Sequence, residues 1–321
     1  MPDKLRVAVL GAGVMGKNHA RIYHELPEAE LVAIVDTHEQ AGRALAELYG
    51  VHFYPTLNEL PANAVDAVSV CTPTSTHHTV GLHCLNMGFH MLMEKPIAAT
   101  VEQGAELLNR AREKNVIFMV GHSERFNPAV QQAKKIIDAG ELGKITNIMA
   151  RRVGPFPPRI NDVDIAVDLA VHDIDIINYL LKTTPQDVVI HKRKTNNRNH
   201  ADLVDFFLRY DNMVTAYIQT NWITPLKIRK LNITGTEGYI ELDYITQSIE
   251  YYKSTYERLP ANPESFSDFV LMFAQPLKKE VVVERAEPLK EELRYFINLV
   301  RNGTQHDAQY AVDALKIALY E

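Results

Sequence analysis

Apolar positions along the first third of the chain fall into short runs, at 6–10, 31–35, 52–54, 67–71, 90–93 and 117–120. Each run is too short for a helix, and all but 52–54, which is aromatic, are rich in Val, Ile, Ala or Met, which predicts six strands. Between them, apolar residues recur with a period near 3.6 over 14–26, 39–49, 75–87 and 101–114, each closed by a nearby Gly, Pro or Asn. Strands alternating with amphipathic helices predict an α/β fold, here a doubly wound parallel sheet.

The pattern changes after Gly121. Asn127-Pro128 reads as an N-cap with proline at the first helical position, opening a helix that Gly140 stops. A strand over 144–153 and a helix over 163–181 follow. Strand-like runs come next, around 188 and over 203–210, 213–222, 230–233 and 239–242. Asp211-Asn212 between two of these runs predicts a hairpin turn. This half is therefore expected to be an α+β domain with a mostly antiparallel open sheet and helices on one side. Residues 254–280 show little pattern and predict a loop, and helices over 287–301 and 308–320 close the chain. Two domains are expected, 1–121 and 122–321.

Composition narrows the class. The 321 residues are 46% hydrophobic and 23% charged, as in an ordinary globular protein. A net charge of -6 argues against nucleic-acid binding by phosphate neutralisation and against polybasic membrane docking. The basic run HKRKTNNRNH (191–200) has no interleaved aromatics and reads as a solvated hairpin end. Cys71 and Cys84 have no metal-ligand spacing, so no metal is expected. The N-terminus shows no signal-peptide pattern, and no apolar run approaches the ~20 residues of a membrane span, so a cytoplasmic location is expected.

The chemistry begins at GAGVMG (11–16), which fits GxGxxG, follows a predicted strand and opens a predicted helix. Gly11 would permit the tight turn, Gly13 the approach of a pyrophosphate to the backbone, and Gly16 close packing of helix on strand. Val14 and Met15 begin the helix whose N-H groups would meet the phosphates. Asp36, twenty residues beyond Gly16, would accept hydrogen bonds from the adenosine ribose and repel a 2'-phosphate, favouring NAD over NADP. These are the marks of a Rossmann domain.

Three further segments carry candidates. In CTPTSTH (71–77), Thr72 and Pro73 would line the nicotinamide half of the cofactor, and His77 is either part of that lining or a plain helix-start histidine. Glu94 and Lys95 of EKP follow the fifth strand, at the sheet edge where open α/β folds bind ligands. A lysine there, partly desolvated beside a cationic nicotinamide, suits proton exchange with a substrate hydroxyl. In DLAVHDID, Asp168 and His172 are four apart and share a helix face, so that the carboxylate can orient the imidazole. Arg151, Arg152 and Arg159 are candidates for a substrate diphosphate, or for ion pairs with acids such as Asp162 and Asp164. Arg125 in SERFNP would position substrate or join the two domains.

Taken in order, GAGVMG, EKP, GHSERFNP and DLAVHDID resemble the glucose-fructose oxidoreductase/inositol dehydrogenase (Gfo/Idh/MocA) family over essentially the whole chain. The resemblance implies an NAD(P)-dependent dehydrogenase of a sugar, cyclitol or nucleotide sugar, forming a homodimer or homotetramer through its C-terminal sheet. It carries the family's motif lysine onto Lys95 and the family's aspartate and histidine onto Asp168 and His172. GHSERFNPAV and RRVGPFPPR are most similar to UDP-N-acetylglucosamine 3-dehydrogenases, which implies oxidation at C3 of a UDP-linked N-acetylhexosamine, although Asp164 stands where that group has a small residue. The other expectations are a dehydrogenase of free cyclitols or simple sugars, and a non-catalytic NAD-binding sensor.

Overall fold

The computed structural model describes residues 4–61, 63–156, 164–195, 201–253 and 277–320. They form two compact units: Met1–Phe126 with Glu287–Leu319, and Asn127–Ala286.

In the first unit, β1 (Leu5–Leu10), β2 (Ala29–Val35), β3 (His52–Tyr54), β4 (Ala67–Val70), β5 (His90–Glu94) and β6 (Phe118–Gly121) make a parallel sheet in the order β3-β2-β1-β4-β5-β6. The order reverses between β1 and β4, which opens a crevice at the carboxyl ends of the central strands. All four residues of β4 are buried, as expected for a strand covered on both faces. The crossovers include α1 (Val14–Glu25), α2 (Glu39–Tyr49), α3 (Thr74–Asn86) and α4 (Val101–Glu113). Local chemistry marks their ends: Thr100 caps α4 through Gln103 N-H at 3.3 Å, and Gly50 ends α2 in the left-handed region.

Two helices from the end of the chain complete this unit, α7 (Pro288–Asn302) and α8 (Gln309–Leu319). The sequence boundary assigns them to the second domain, and the structure returns them to the first. The physical reason is the apolar face of α7: Leu293, Phe296, Ile297 and Leu299 enter the same core as Ile22 and Tyr23 of α1 and Leu26 just beyond it. Lys290 pairs with Glu25 at 2.7 Å across the same contact. From α8, the Tyr310 hydroxyl donates to Val120 O at 2.9 Å and accepts from Val120 N at 3.2 Å, satisfying backbone groups on the edge strand β6.

In the second unit, α5 (Pro128–Asp138) starts as expected, with Asn127 Oδ1 accepting from Ala129 N-H at 3.1 Å. The sheet contains β7 (Ile145–Pro155), β8 (Asp187–Arg193), β9 (Leu203–Arg209), β10 (Thr215–Asn221), β11 (Ile223–Gly235), β12 (Gly238–Asp243), β13 (Ser248–Lys253) and β14 (Leu277–Lys279). Their order is β14-β13-β12-β11-β7-β10-β9-β8, antiparallel except for the β7–β10 pair. The Asp211–Met213 turn joins β9 to β10 as the hairpin. Residues 254–276 of the expected loop lie outside the described residues, whereas 277–279 are strand, paired with 251–253 of β13.

The expected single helix over 163–181 is two pieces, a π-helical turn at Ala166–Ala170 running into α6 (Val171–Leu181). Asp164 starts it: its Oδ1 accepts from Ala166 N-H at 2.9 Å, and its carbonyl takes the N-H groups of Val167 and Asp168. A capping role thus accounts for the acid where a small residue was expected. Helices α5 and α6 cover one sheet face, onto which Ile148, Ala150 and Arg152 point, while the alternate residues Asn147, Met149 and Arg151 point to the other.

Candidate functional site: a dinucleotide cradle and an opened helix

The glycine turn has geometry that only glycine permits. Gly11 has φ +98°, and a Cβ there would stand 2.6 Å from Cys71 O. A Cβ on Gly16 would lie 1.7 Å from Gly11 O, so α1 packs directly on the turn. Gly13 differs: its added Cβ would meet nothing within 4 Å, so its reason for being glycine is external. Helix α1 has no side-chain cap and no acid in its first turn, and Val14 and Met15 are exposed. Its first N-H groups and dipole are therefore open to an external anion, and the residues fit a pyrophosphate.

Asp36 directly follows β2 beside this turn. One carboxylate oxygen accepts from Ala12 N-H at 2.5 Å and the other from His38 N-H at 2.7 Å. The sequence did not single out Ala12, whose backbone connects Asp36 to the turn. At the next strand ends, Thr72 and Pro73 precede α3, and Thr76 Oγ1 reaches Thr72 Oγ1 at 2.9 Å and Pro73 O at 2.7 Å. His77 is buried, with Nδ1 2.7 Å from Pro96 O and Nε2 3.0 Å from Thr72 O. It ties the segment after β4 to the segment after Lys95, a supporting place rather than a lining one. Burial pushes its pKa below the usual histidine value, although both carbonyls favour the protonated ring.

Lys95 is half-buried just beyond β5, and the Glu94 carboxylate beneath it is buried. Glu94 Oε1 lies 2.9 Å from His19 Nε2, and Oε2 accepts from Lys95 N-H at 3.3 Å. Burial alone would raise the Glu94 pKa, but the His19 hydrogen bond and charge neighbours hold it below the ordinary value. His19 was missed from the sequence; its signal was a polar residue on the buried stripe of α1 with Gly16, Ala20 and Tyr23. Arg125 lies with its guanidinium 3.8 Å from the Tyr310 ring centroid, a cation-π contact within the first unit.

In the second unit, the helix from Ile165 to Asn178 is buried at every position except Asp168, Leu169 and His172, which are half-buried. The expected pair therefore occupies the opening of an otherwise covered helix, at the junction of the π-helical turn and α6. The arginines fare differently. Arg152 is buried and forked onto Asp173, Nε to Oδ2 at 2.7 Å and Nη2 to Oδ1 at 3.0 Å, so the ion-pair alternative holds, with Asp173 as the acid. Arg151, one residue away in a strand, is exposed on the sheet face opposite the helices and hence opposite Asp168 and His172. Arg159 and Asp162 lie outside the described residues. Cys71 and Cys84 are both free, and no helix of the described residues is long and apolar enough to cross a membrane.

Residues 5–122 match the oxidoreductase family with an NAD-binding Rossmann fold, and residues 130–241 match the GFO/IDH/MocA C-terminal domain. The chain belongs to the Gfo/Idh/MocA family. It is an oxidoreductase of the NAD-dependent kind. Among Gfo/Idh/MocA relatives, it is 30% identical to a UDP-N-acetylglucosamine 3-dehydrogenase of Acidithiobacillus ferrooxidans over 81% of this chain and 80% of that one. It is equally 30% identical to scyllo-inositol 2-dehydrogenase (NAD(+)) of Bacillus subtilis, over 75% and 74%. The solved structure of the Acidithiobacillus ferrooxidans enzyme superposes with a TM-score of 0.86 at 25% identity, covering 99% of this chain and 96% of the other.

Proposed function

We propose that the protein oxidises a secondary hydroxyl of a sugar, C3 of a UDP-linked N-acetylhexosamine, in the cytoplasm. NAD, when bound, accepts the hydride. Lys95 or His172 takes the hydroxyl proton, and Asp168 orients His172. The observation that carries this reading is the opening of a buried helix at Asp168 and His172 alone with Leu169, since buried carboxylate-imidazole chemistry needs an exit to substrate. The UDP moiety is supported by the match to a UDP-N-acetylglucosamine 3-dehydrogenase at 30% identity over 81% of this chain.

A second reading, a dehydrogenase of free cyclitols or simple sugars, is favoured by the arginines. Arg152 is forked onto Asp173 and Arg151 lies on the opposite face, which counts against two of the three diphosphate candidates. The inositol relative matches at the same identity. NADH formation with UDP-N-acetylglucosamine, N-acetylglucosamine and myo-inositol, with a carbonyl trap, separates them. Turnover only with the UDP sugar supports the first reading; turnover with inositol or the free sugar replaces it with the second. Lys95→Met is expected to lower turnover by about 10²- to 10⁴-fold while NAD still binds. Activity within a few-fold of wild type removes Lys95 from the chemistry.

The proposal includes a homo-oligomer through the open sheet face. One row across that face holds Val189, Phe207, Tyr217 and Met149 in register, and Val189, Phe207 and Met149 are each about half exposed. Such an apolar row is unusual on a free surface. A monomeric mass in solution at micromolar concentration would remove it.

A further inference from the structure

The reading above leaves His19 and Glu94 unused. Their side chains are 0% and 10% exposed, and Nε2 stands 2.9 Å from Oε1. A carboxylate and an imidazole buried together are a poor choice for packing alone, since an apolar pair of the same shape avoids their desolvation. Their places in the chain are more informative. His19 lies on the inner stripe of the helix that begins at the glycine turn, and Glu94 is the last residue of β5, with its second oxygen on Lys95 N-H at 3.3 Å.

The other groups around the carboxylate do not substitute for His19. Tyr23, also from α1, has its hydroxyl paired with Ser69 Oγ at 2.7 Å. Cys71, after β4, is a thiol whose pKa burial raises, with Glu94 and Glu292 adding to the effect. Glu292, from α7, is a second buried acid. Lys95 attracts the carboxylate from its own chain neighbour. The hydrogen bond to Oε1 comes from His19.

We infer that His19 is a positioning residue: through Glu94 it fixes the Lys95 segment relative to the glycine turn, so that the phosphate end and the nicotinamide end of the cofactor site are held in one register. The inference rests on the reading that Lys95 stands at the reactive end of the cofactor. Loss of the His19 donor should release Glu94 and with it the lysine backbone, leaving the adenosine-diphosphate half untouched.

The test compares NAD+ with ADP, which lacks the nicotinamide ribose, by calorimetric titration. His19→Leu is expected to weaken NAD+ about tenfold while ADP changes less than about twofold, the size of one hydrogen bond's contribution. His19→Gln, whose amide keeps a donor near the Nε2 position, should recover NAD+ to within about threefold. An unchanged ratio of the two affinities in His19→Leu, or no recovery with His19→Gln, overturns the inference. If His19→Leu does not fold, Glu94→Gln gives the same comparison, with the same ratio change expected and an unchanged ratio overturning it. Wild-type protein that binds both ligands yet oxidises no sugar or cyclitol fails the dehydrogenase reading separately, because the affinity ratio needs no turnover.

Discussion

The Arg152 guanidinium meets the Asp173 carboxylate through two parallel hydrogen bonds, at 2.7 and 3.0 Å, in a site where both side chains are at most 5% exposed. The pair joins β7 to α6, and the Tyr244 ring stacks 4.9 Å from the guanidinium carbon. Removing one partner would strand a buried charge. Arg152→Ala is therefore expected to cost about 3–5 kcal/mol in chemical denaturation. Arg151→Ala, on the open face, should stay within about 0.5 kcal/mol. Equal effects would mean that the fork is not a structural pair, and would reopen Arg152 as a ligand for substrate.

The glycine turn allows a cleaner separation of folding from binding. Gly16→Ala forces a Cβ to 1.7 Å from Gly11 O and must displace α1, so loss of folded protein is expected. Gly13→Ala meets nothing, so its melting temperature should match wild type. The added methyl would instead stand where a pyrophosphate approaches, weakening NADH by about tenfold or more, roughly the value of one displaced hydrogen bond. Fluorescence titration of NADH reads this directly. Wild-type affinity in a folded Gly13→Ala protein would place the phosphates elsewhere.

The first sheet was legible because burial on both faces writes its inner strands as short, mostly apolar runs, and glycine and Asp36 positions then follow from steric and charge requirements. The ends of β3 and α2 were read to the residue. What escaped depended on partners distant in sequence. The place of α7 is set by a core shared with α1, and that of His19 by Glu94 75 residues away. Strand β13 alternates Ile249 and Tyr251 inward, a readable signal that was passed over, whereas β14 is exposed throughout and exists through its pairing alone. The arginines show the limit most plainly: RR at 151–152 is one charge pattern in sequence, but a strand sends the two guanidinium groups to opposite faces.

His90 gives a pH prediction whose sign is fixed by geometry. Its Nδ1 accepts from Ile117 N-H at 2.9 Å, so protonation there would set two donors against each other. Burial lowers its pKa from the usual 6.5, with Asp66 opposing. The unfolded chain then binds the proton more readily, so the stabilising contribution is present above about pH 6.5 and lost as pH falls below it. His77 and His306, also lowered by burial, add losses of the same sign. The melting temperature of wild type should fall between pH 7 and pH 5, and less so in His90→Asn, whose amide oxygen replaces Nδ1 as a fixed acceptor. Superimposable curves for the two proteins would show that His90 does not titrate with unfolding.

Asp36 has a structural task and a proposed ribose task that one substitution can separate. Its carboxylate already holds Ala12 N-H and His38 N-H, so its loss should loosen the glycine turn and weaken every dinucleotide. The ribose role proposed for it would, in contrast, discriminate between cofactors: a carboxylate there would attract the 2'-hydroxyl of NAD and repel the 2'-phosphate of NADP. Asp36→Ser keeps a short acceptor without charge. The expected result is a loss of NADH affinity of about 10- to 100-fold, matching a charge-assisted hydrogen bond of about 1.5–3 kcal/mol. NADPH should weaken less or tighten, because repulsion is removed as the turn relaxes. The ratio of the two affinities is the decisive reading, since a purely structural Asp36 would lower both equally and leave the ratio at its wild-type value.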